Sequence, residues 1–242
     1  MFALFLIGQM RTYNNIKIIN SYEKYLFKDE KLDVYIFTWD KVGFSNNHGK
    51  TNYNDQMNDE INENDLVNFY KQFDFINVKH IYIENFDDFL NDLKPDLLKV
   101  YETPFRHHAK VSTFIPIQYK YQQAIQYFSQ LEDNTKYSTV IITRPDIYFE
   151  KVPSFTTTKT EEDTIYWCRR FGADLCWYGT PQSIIKQLDD IFDRIIENRT
   201  IVYKHRGDSY CNNVLLQCQC EEKGLSTKTM LCDDYSLQVL HF

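Results

Sequence analysis

Glycine is scarce in this chain. Seven occur among 242 residues, and none falls in a Gly-x-Gly-x-x-Gly or Walker-type pattern, which excludes a glycine-cradled phosphate loop. Positive charge is also short: 27 Lys and Arg face 34 Asp and Glu, for a net charge of -7. No global field therefore draws in nucleic acid, and phosphates on any ligand must be met locally, by a few cationic side chains or a divalent ion. No apolar run is long enough to span a membrane. The opening "MFALFLIGQMR" lacks the charged start of a signal peptide, so it reads as the first strand of a cytoplasmic chain. Cysteine is missing from the first two-thirds. All six (Cys168, Cys176, Cys211, Cys218, Cys220 and Cys232) come later, without the paired knuckles of a zinc site, and read as reduced, buried small hydrophobes.

Aromatic residues, in contrast, are abundant at 16%, with 18 Tyr and 18 Phe. They suit a packed core and also a sugar-stacking cleft. Strand-like and helix-like segments alternate. Residues 2–8, 33–39, 76–84 and 137–143 are rich in β-branched and aromatic residues and read as strands. Between them, 16–26, 65–73, 86–94 and 112–131 carry helical spacing, the last with Ile117, Tyr121, Ala124, Ile125 and Phe128 on one face. Residues 42–64 are polar, Asn-rich and loop-like. Later, 164–168 and 174–179 read as short strands. Thr180-Pro181 caps a helix carrying Ile184, Leu188, Ile191 and Ile195, and a last helix runs from about 208 to 223. This rhythm predicts an α/β fold with a mostly parallel central sheet flanked by helices. Nothing marks a domain boundary, so the chain reads as a single domain.

Parallel sheets keep their ligands outside the carboxyl ends of the strands, and the candidate residues lie there. The first strand ends in Gly8-Gln9-Met10-Arg11, where Gly8 permits close backbone approach, Gln9 can bond a base or ribose edge, and Arg11 can pair with phosphate. The second ends in Trp39-Asp40. The strand "VIITRPDIYFE" (140–150) ends on Arg144-Pro145-Asp146, placing two opposite charges beyond a buried run. Asp146 could hold a divalent cation such as Mn or Mg against a diphosphate. The structural alternative is an Arg144–Asp146 pair that closes a turn. In "GADLCWYGTPQS", Asp174 is placed to act as a general base, with Trp177 or Tyr178 as a stacking platform for a sugar ring. Its alternative is a turn residue. His107, His108 and Lys110 form a basic cluster before the long helix and could contact phosphate. His205, Arg206 and Asp208 read as a helix start.

Four of these segments, "ALFLIGQMRTY", "DVYIFTWD", "YSTVIITRPDIYF" and "ADLCWYGTPQSI", together resemble glycosyltransferases with a GT-A-like nucleotide-sugar fold, of the kind found in bacterial surface-polysaccharide clusters and large DNA viruses. The resemblance spans nearly the whole chain in the right order. It implies transfer of a sugar from a nucleotide-diphosphate donor to a glycan or glycoconjugate hydroxyl. Asp146 stands where such enzymes carry an Asp-x-Asp metal motif, with Gly8, Gln9, Arg11, Trp39, Asp40, Arg144, His107 and Lys110 around the donor. Here the motif has one carboxylate, so either Asp146 with waters and the diphosphate holds the ion, or Arg144, Arg11 and the 107–110 cluster neutralise the diphosphate alone. Inversion at the anomeric carbon is slightly favoured over retention. A sugar-binding scaffold on the same fold is one alternative. A sugar-1-phosphate nucleotidyltransferase is another, and it lacks its glycine-rich loop here.

Overall fold

The computed structural model describes residues 1–25, 31–42, 46–47, 50–51, 60–93, 115–150, 159–168, 176–197, 212–229 and 237–239. In chain order the strands are β1 (Phe2–Ile7), β2 (Leu32–Trp39), the short pair β3 (Asn46–Asn47) and β4 (Lys50–Thr51), β5 (Ile76–Glu84), β6 (Thr139–Thr143), β7 (Ile147–Phe149), β8 (Thr164–Trp167), β9 (Cys176–Gly179), β10 (Ser226–Thr229) and β11 (Leu237–Val239). The helices are α1 (Ile16–Tyr25), α2 (Glu63–Tyr70), α3 (Phe86–Asp92), α4 (Ile115–Ser129), α5 (Pro181–Leu188), α6 (Ile191–Ile196) and α7 (Asn212–Glu222).

Seven strands form one sheet in the order β10-β8-β9-β6-β1-β2-β5. The pairs β5–β2, β2–β1, β1–β6 and β8–β10 are parallel, and only β9 runs against its neighbours. This is the mostly parallel sheet that the alternating pattern predicts. Its connections diverge at β1: the chain steps outward to β2 and β5, then crosses back through α4 to β6 on the other side. The ends of β1 and β6 therefore flank the crevice that such a reversal opens.

Both faces of the sheet are buried, because successive strand residues point to opposite sides. Leu4, Leu6, Val34, Ile36, Ile141 and Tyr178 pack with Ile18, Ile19 and Tyr22 of α1 and with Leu66 and Tyr70 of α2. Ala3, Phe5, Ile7, Phe37, Val140, Ile142 and Trp177 pack with Tyr121, Ala124, Ile125 and Phe128 of α4 and with Ile184 and Leu188 of α5. The stripe read from α4 is thus the face it buries. Local signals set the helix starts. Asn62 and Asn85 accept from the backbone N–H of Asp65 and Asp88 at 3.0 and 2.8 Å, and Thr180 caps α5 ahead of Pro181.

Two details depart from expectation. The apolar run after Thr180 is two helices, broken at Asp189-Asp190, because Asp190 accepts from Gln219 (2.7 Å) and Arg194 (3.1 Å) and pairs with Lys223. The strand ending at Thr143 also resumes as β7, which leaves the main sheet to pair antiparallel with β11. Ser21 of α1 anchors this ribbon: its hydroxyl donates to the Ile18 carbonyl and accepts from the Phe149 N–H at 3.0 Å. Cys168, Cys176, Cys218 and Cys220 are buried, whereas Cys211 and Cys232 lie outside the described residues. No helix among the described residues is long and apolar enough to cross a membrane.

Candidate active site

At the end of β1 the backbone turns sharply. Gly8 has φ +116, and its N–H donates to the Phe37 carbonyl at 3.1 Å. A Cβ there would lie 3.1 Å from the Ile117 methyl of α4, so glycine serves both the left-handed backbone and the close helix approach. The turn buries Met10 and Thr12 and leaves Gln9 and Arg11 half-exposed. Arg11 donates from Nε to the Gln9 Oε1 at 3.3 Å, a long bond. Partial burial lowers the Arg11 guanidinium to about 10, offset by the nearby charge of Asp146 and reinforced by that of Arg144. It stays protonated at neutral pH.

Asp146 and Arg144 stand beside Arg11. The carboxylate is buried and accepts two bonds from Arg144, from Nε at 2.9 Å and from Nη2 at 2.5 Å. This is the turn-closing pair given above as the structural alternative, but it sits at the expected corner, against the Gly8–Arg11 turn. The same corner holds two buried hydroxyls without a hydrogen-bond partner among the described residues: Thr12 Oγ1, and Tyr22 Oη near Asp146 and Cys176.

This geometry corrects the expected metal ligand. Both Asp146 oxygens already bind a guanidinium. An ion at a normal coordination distance would lie about 4 Å from Arg144, where a divalent ion and a guanidinium repel by about 8 kcal/mol at a surface-like dielectric, and Arg11 adds to that. Among the described residues no three His, Cys, Asp or Glu side chains gather to share a cation. The residues at 144–146 do not fit a divalent ion held through Asp146.

Three other expectations change. Trp177 is not a sugar platform: it is fully buried in β9, edge-on to Tyr121 with ring centroids 5.1 Å apart, and its Nε1 donates to Gln187 Oε1 at 3.1 Å. Tyr178 is equally buried and stacks on Tyr166. Trp39 does not line a cleft, being enclosed by Phe86, Phe89 and Tyr119. Asp40 is structural, because its carboxylate accepts from the Phe86 N–H (3.0 Å) and Asn85 Nδ2 (2.7 Å) and so fixes the entry to α3. Asp174, His107 and Lys110 lie outside the described residues, as do His205, Arg206 and Asp208.

One cluster was not singled out in the sequence. Lys120, with no exposed side-chain surface, donates to Glu84 Oε2 at 2.7 Å and to Gln123 Oε1 at 3.1 Å, and its ammonium lies 4.1 Å from the Trp39 ring centre. Tyr119 donates to the other Glu84 oxygen at 3.0 Å. The available signal was a lysine inside an apolar stripe, between Ile117 and Ala124. Burial lowers the Lys120 ammonium to about 8, against the opposing pull of Glu84. Because the folded chain holds this proton less tightly than the unfolded one, Lys120 lowers stability below about pH 8 and stability recovers as pH rises from about 8 toward 10. Urea denaturation across that window should show a wild-type gain, relative to Lys120→Met, of at most about 1.4 kcal/mol per pH unit. Parallel profiles for the two proteins would contradict it.

The sheet order with its single reversed strand gives a GT-A-like fold. The chain is similar in structure to mouse xyloside xylosyltransferase 1 in its apo form, with a TM-score of 0.50 and 8% identity over 96% of this chain and 85% of that one. It also aligns with the galactosyltransferase LgtC bound to donor and acceptor sugar analogs, at a TM-score of 0.49 and 9% identity over 95% and 73%. The sequence matches no protein-family model and no curated protein.

Proposed function

We propose that this chain is a glycosyltransferase that moves a sugar from a nucleotide-diphosphate donor to a hydroxyl of a glycan or polysaccharide. The observation that carries this reading is the convergence of the Gly8–Arg11 turn with Arg144 and Asp146 where β1 and β6 end. In an acidic chain, that corner brings two guanidiniums against one carboxylate, a local positive site for an anionic ligand. Residues about 1–150 supply the donor side, with Gln9 against the nucleoside and His107 and Lys110 added from the segment that precedes α4 in the sequence. Residues about 151–242 supply the acceptor side.

The acceptor oxygen bonds to the anomeric carbon as the bond from that carbon to the diphosphate oxygen breaks. The electron pair leaves with the nucleoside diphosphate, and Asp174 takes the acceptor's proton. Direct displacement inverts the anomeric centre. The developing negative charge falls on the diphosphate, where Arg11 and Arg144 stabilise it more strongly than in the ground state.

The test is donor hydrolysis without acceptor, on a panel of UDP-, GDP- and TDP-sugars. Wild type is expected to release sugar slowly from one donor class. Asp174→Asn should slow release by about 10²- to 10⁴-fold, the usual contribution of a general base, with nucleoside diphosphate binding unchanged. A protein that binds a nucleotide sugar but never turns it over is a sugar-binding scaffold, and that result overturns the transferase reading.

A further inference from the structure

Arg144 occupies the first position of the three-residue turn whose third residue is Asp146, and the two side chains are locked together. The bidentate pair holds the guanidinium in one orientation. Arg11 differs: it is only partly exposed, its bond to Gln9 is long, and the Asp146 carboxylate whose charge reaches it is already paired with Arg144. Two guanidiniums gathered on one carboxylate leave net positive charge at a partly desolvated corner, an arrangement that an anionic ligand relieves. Arg11 and Arg144 meet at the reversal point of a parallel sheet, where the fold places its ligand.

We propose that the donor's diphosphate is held and neutralised by the guanidinium groups of Arg11 and Arg144 without a divalent cation at Asp146, whose carboxylate is the brace that fixes Arg144. The proposal rests on the transferase reading and specifies how that site meets its charge. Asp146 thereby changes role: it is a positioning residue that acts through Arg144. Planar, doubly bonded recognition of phosphate oxygens is what arginine provides and a point-charge cation does not. The anion selectivity of this corner then depends on charge already built into the chain and is indifferent to chelators.

The experiment is a thermal-shift and calorimetric titration of the full chain with UDP, GDP, TDP and inorganic pyrophosphate, in EDTA and separately in Mn or Mg. The expected result is binding of at least one nucleoside diphosphate with the same affinity in EDTA as with metal. Arg11→Gln should weaken it in EDTA by about 10- to 100-fold, the usual loss for a charge-assisted contact, with the ligand-free melting temperature unchanged. Arg11→Lys should recover part of the affinity, since it restores charge but not the fork. Binding that appears only when Mn or Mg is added overturns the arginine clamp and leaves the transferase reading standing. So does EDTA-insensitive binding that Arg11→Gln leaves intact. Absence of nucleoside diphosphate binding under every condition overturns both.

Discussion

Asp146→Ala is expected to lower the stability of the protein, not to leave a well-folded but inactive one. A carboxylate that faces solvent to hold a metal can be truncated at little structural expense. Here it is buried, with 2% of its side chain exposed, and both oxygens accept from Arg144, which is 25% exposed. Removing one member of a buried pair leaves the other uncompensated, which costs about 3–5 kcal/mol when neither reaches water. Arg144 can turn partly outward, so about 2–3 kcal/mol is the expected loss, a fall of roughly 4–12 °C in melting temperature for a chain of this size. Arg144→Met should destabilise too, by leaving Asp146 unpaired. The double variant Arg144→Met/Asp146→Leu should fall well short of the sum, because each single change already breaks the same interaction. If Asp146→Ala melts within about 2 °C of wild type and loses only ligand affinity, the carboxylate is a ligand-facing group after all.

The same pair shows what a strand end can and cannot reveal in a linear sequence. Its position was legible because topology decides it. Alternating strands and helices predict a parallel sheet, and a parallel sheet concentrates chemistry at its carboxyl edge, so Gly8, Arg11, Arg144 and Asp146 could be grouped before any coordinates. Their pairing was not legible. Residues two apart across a proline can either diverge or fold back on each other, and only the path of β7 toward β11 and Ser21 settles that Asp146 turns inward.

The aromatic expectations failed for a different reason. Period-two alternation distinguishes an inner face from an outer one only when one side of the sheet meets water. In β9 both sides are covered: Trp177 lies under α4 and α5, and Tyr178 under the face that α1 packs against. An aromatic at a strand end near a candidate base therefore carries no information about ligand contact in a doubly covered sheet. Trp39 was misplaced likewise, since α3 and α4 close over the end of β2 through Phe89 and Tyr119. The lysine that packs on it was overlooked because an apolar stripe was read by its hydrophobic members alone, whereas Lys120, the exception within it, marks the only ammonium among the described lysines with no exposed side-chain surface in an ion pair.

Trp177→Ala should be the more damaging of the two substitutions. The indole is fully buried, packs edge-on to Tyr121 at 5.1 Å and tilted to Trp167 at 5.9 Å, and donates to Gln187. Truncation removes that area, opens a cavity beneath α4 and α5, and leaves the Gln187 oxygen without its donor. Large-to-small changes at such sites cost about 3–5 kcal/mol, or roughly 6–20 °C in melting temperature here. Trp177→Phe should retain most of the packing and lose mainly the hydrogen bond, so its cost should be about 1–2 kcal/mol. Trp39, Trp167 and Trp177 are all at most 2% exposed, so iodide should quench wild-type tryptophan emission weakly. The contrast with a sugar-binding role is sharp. A stacking platform loses acceptor affinity on truncation while its melting temperature holds, and it gives an emission change when acceptor sugars are added. A stable Trp177→Ala protein with impaired acceptor binding would therefore put the indole in the cleft and contradict the packing of β9 described here.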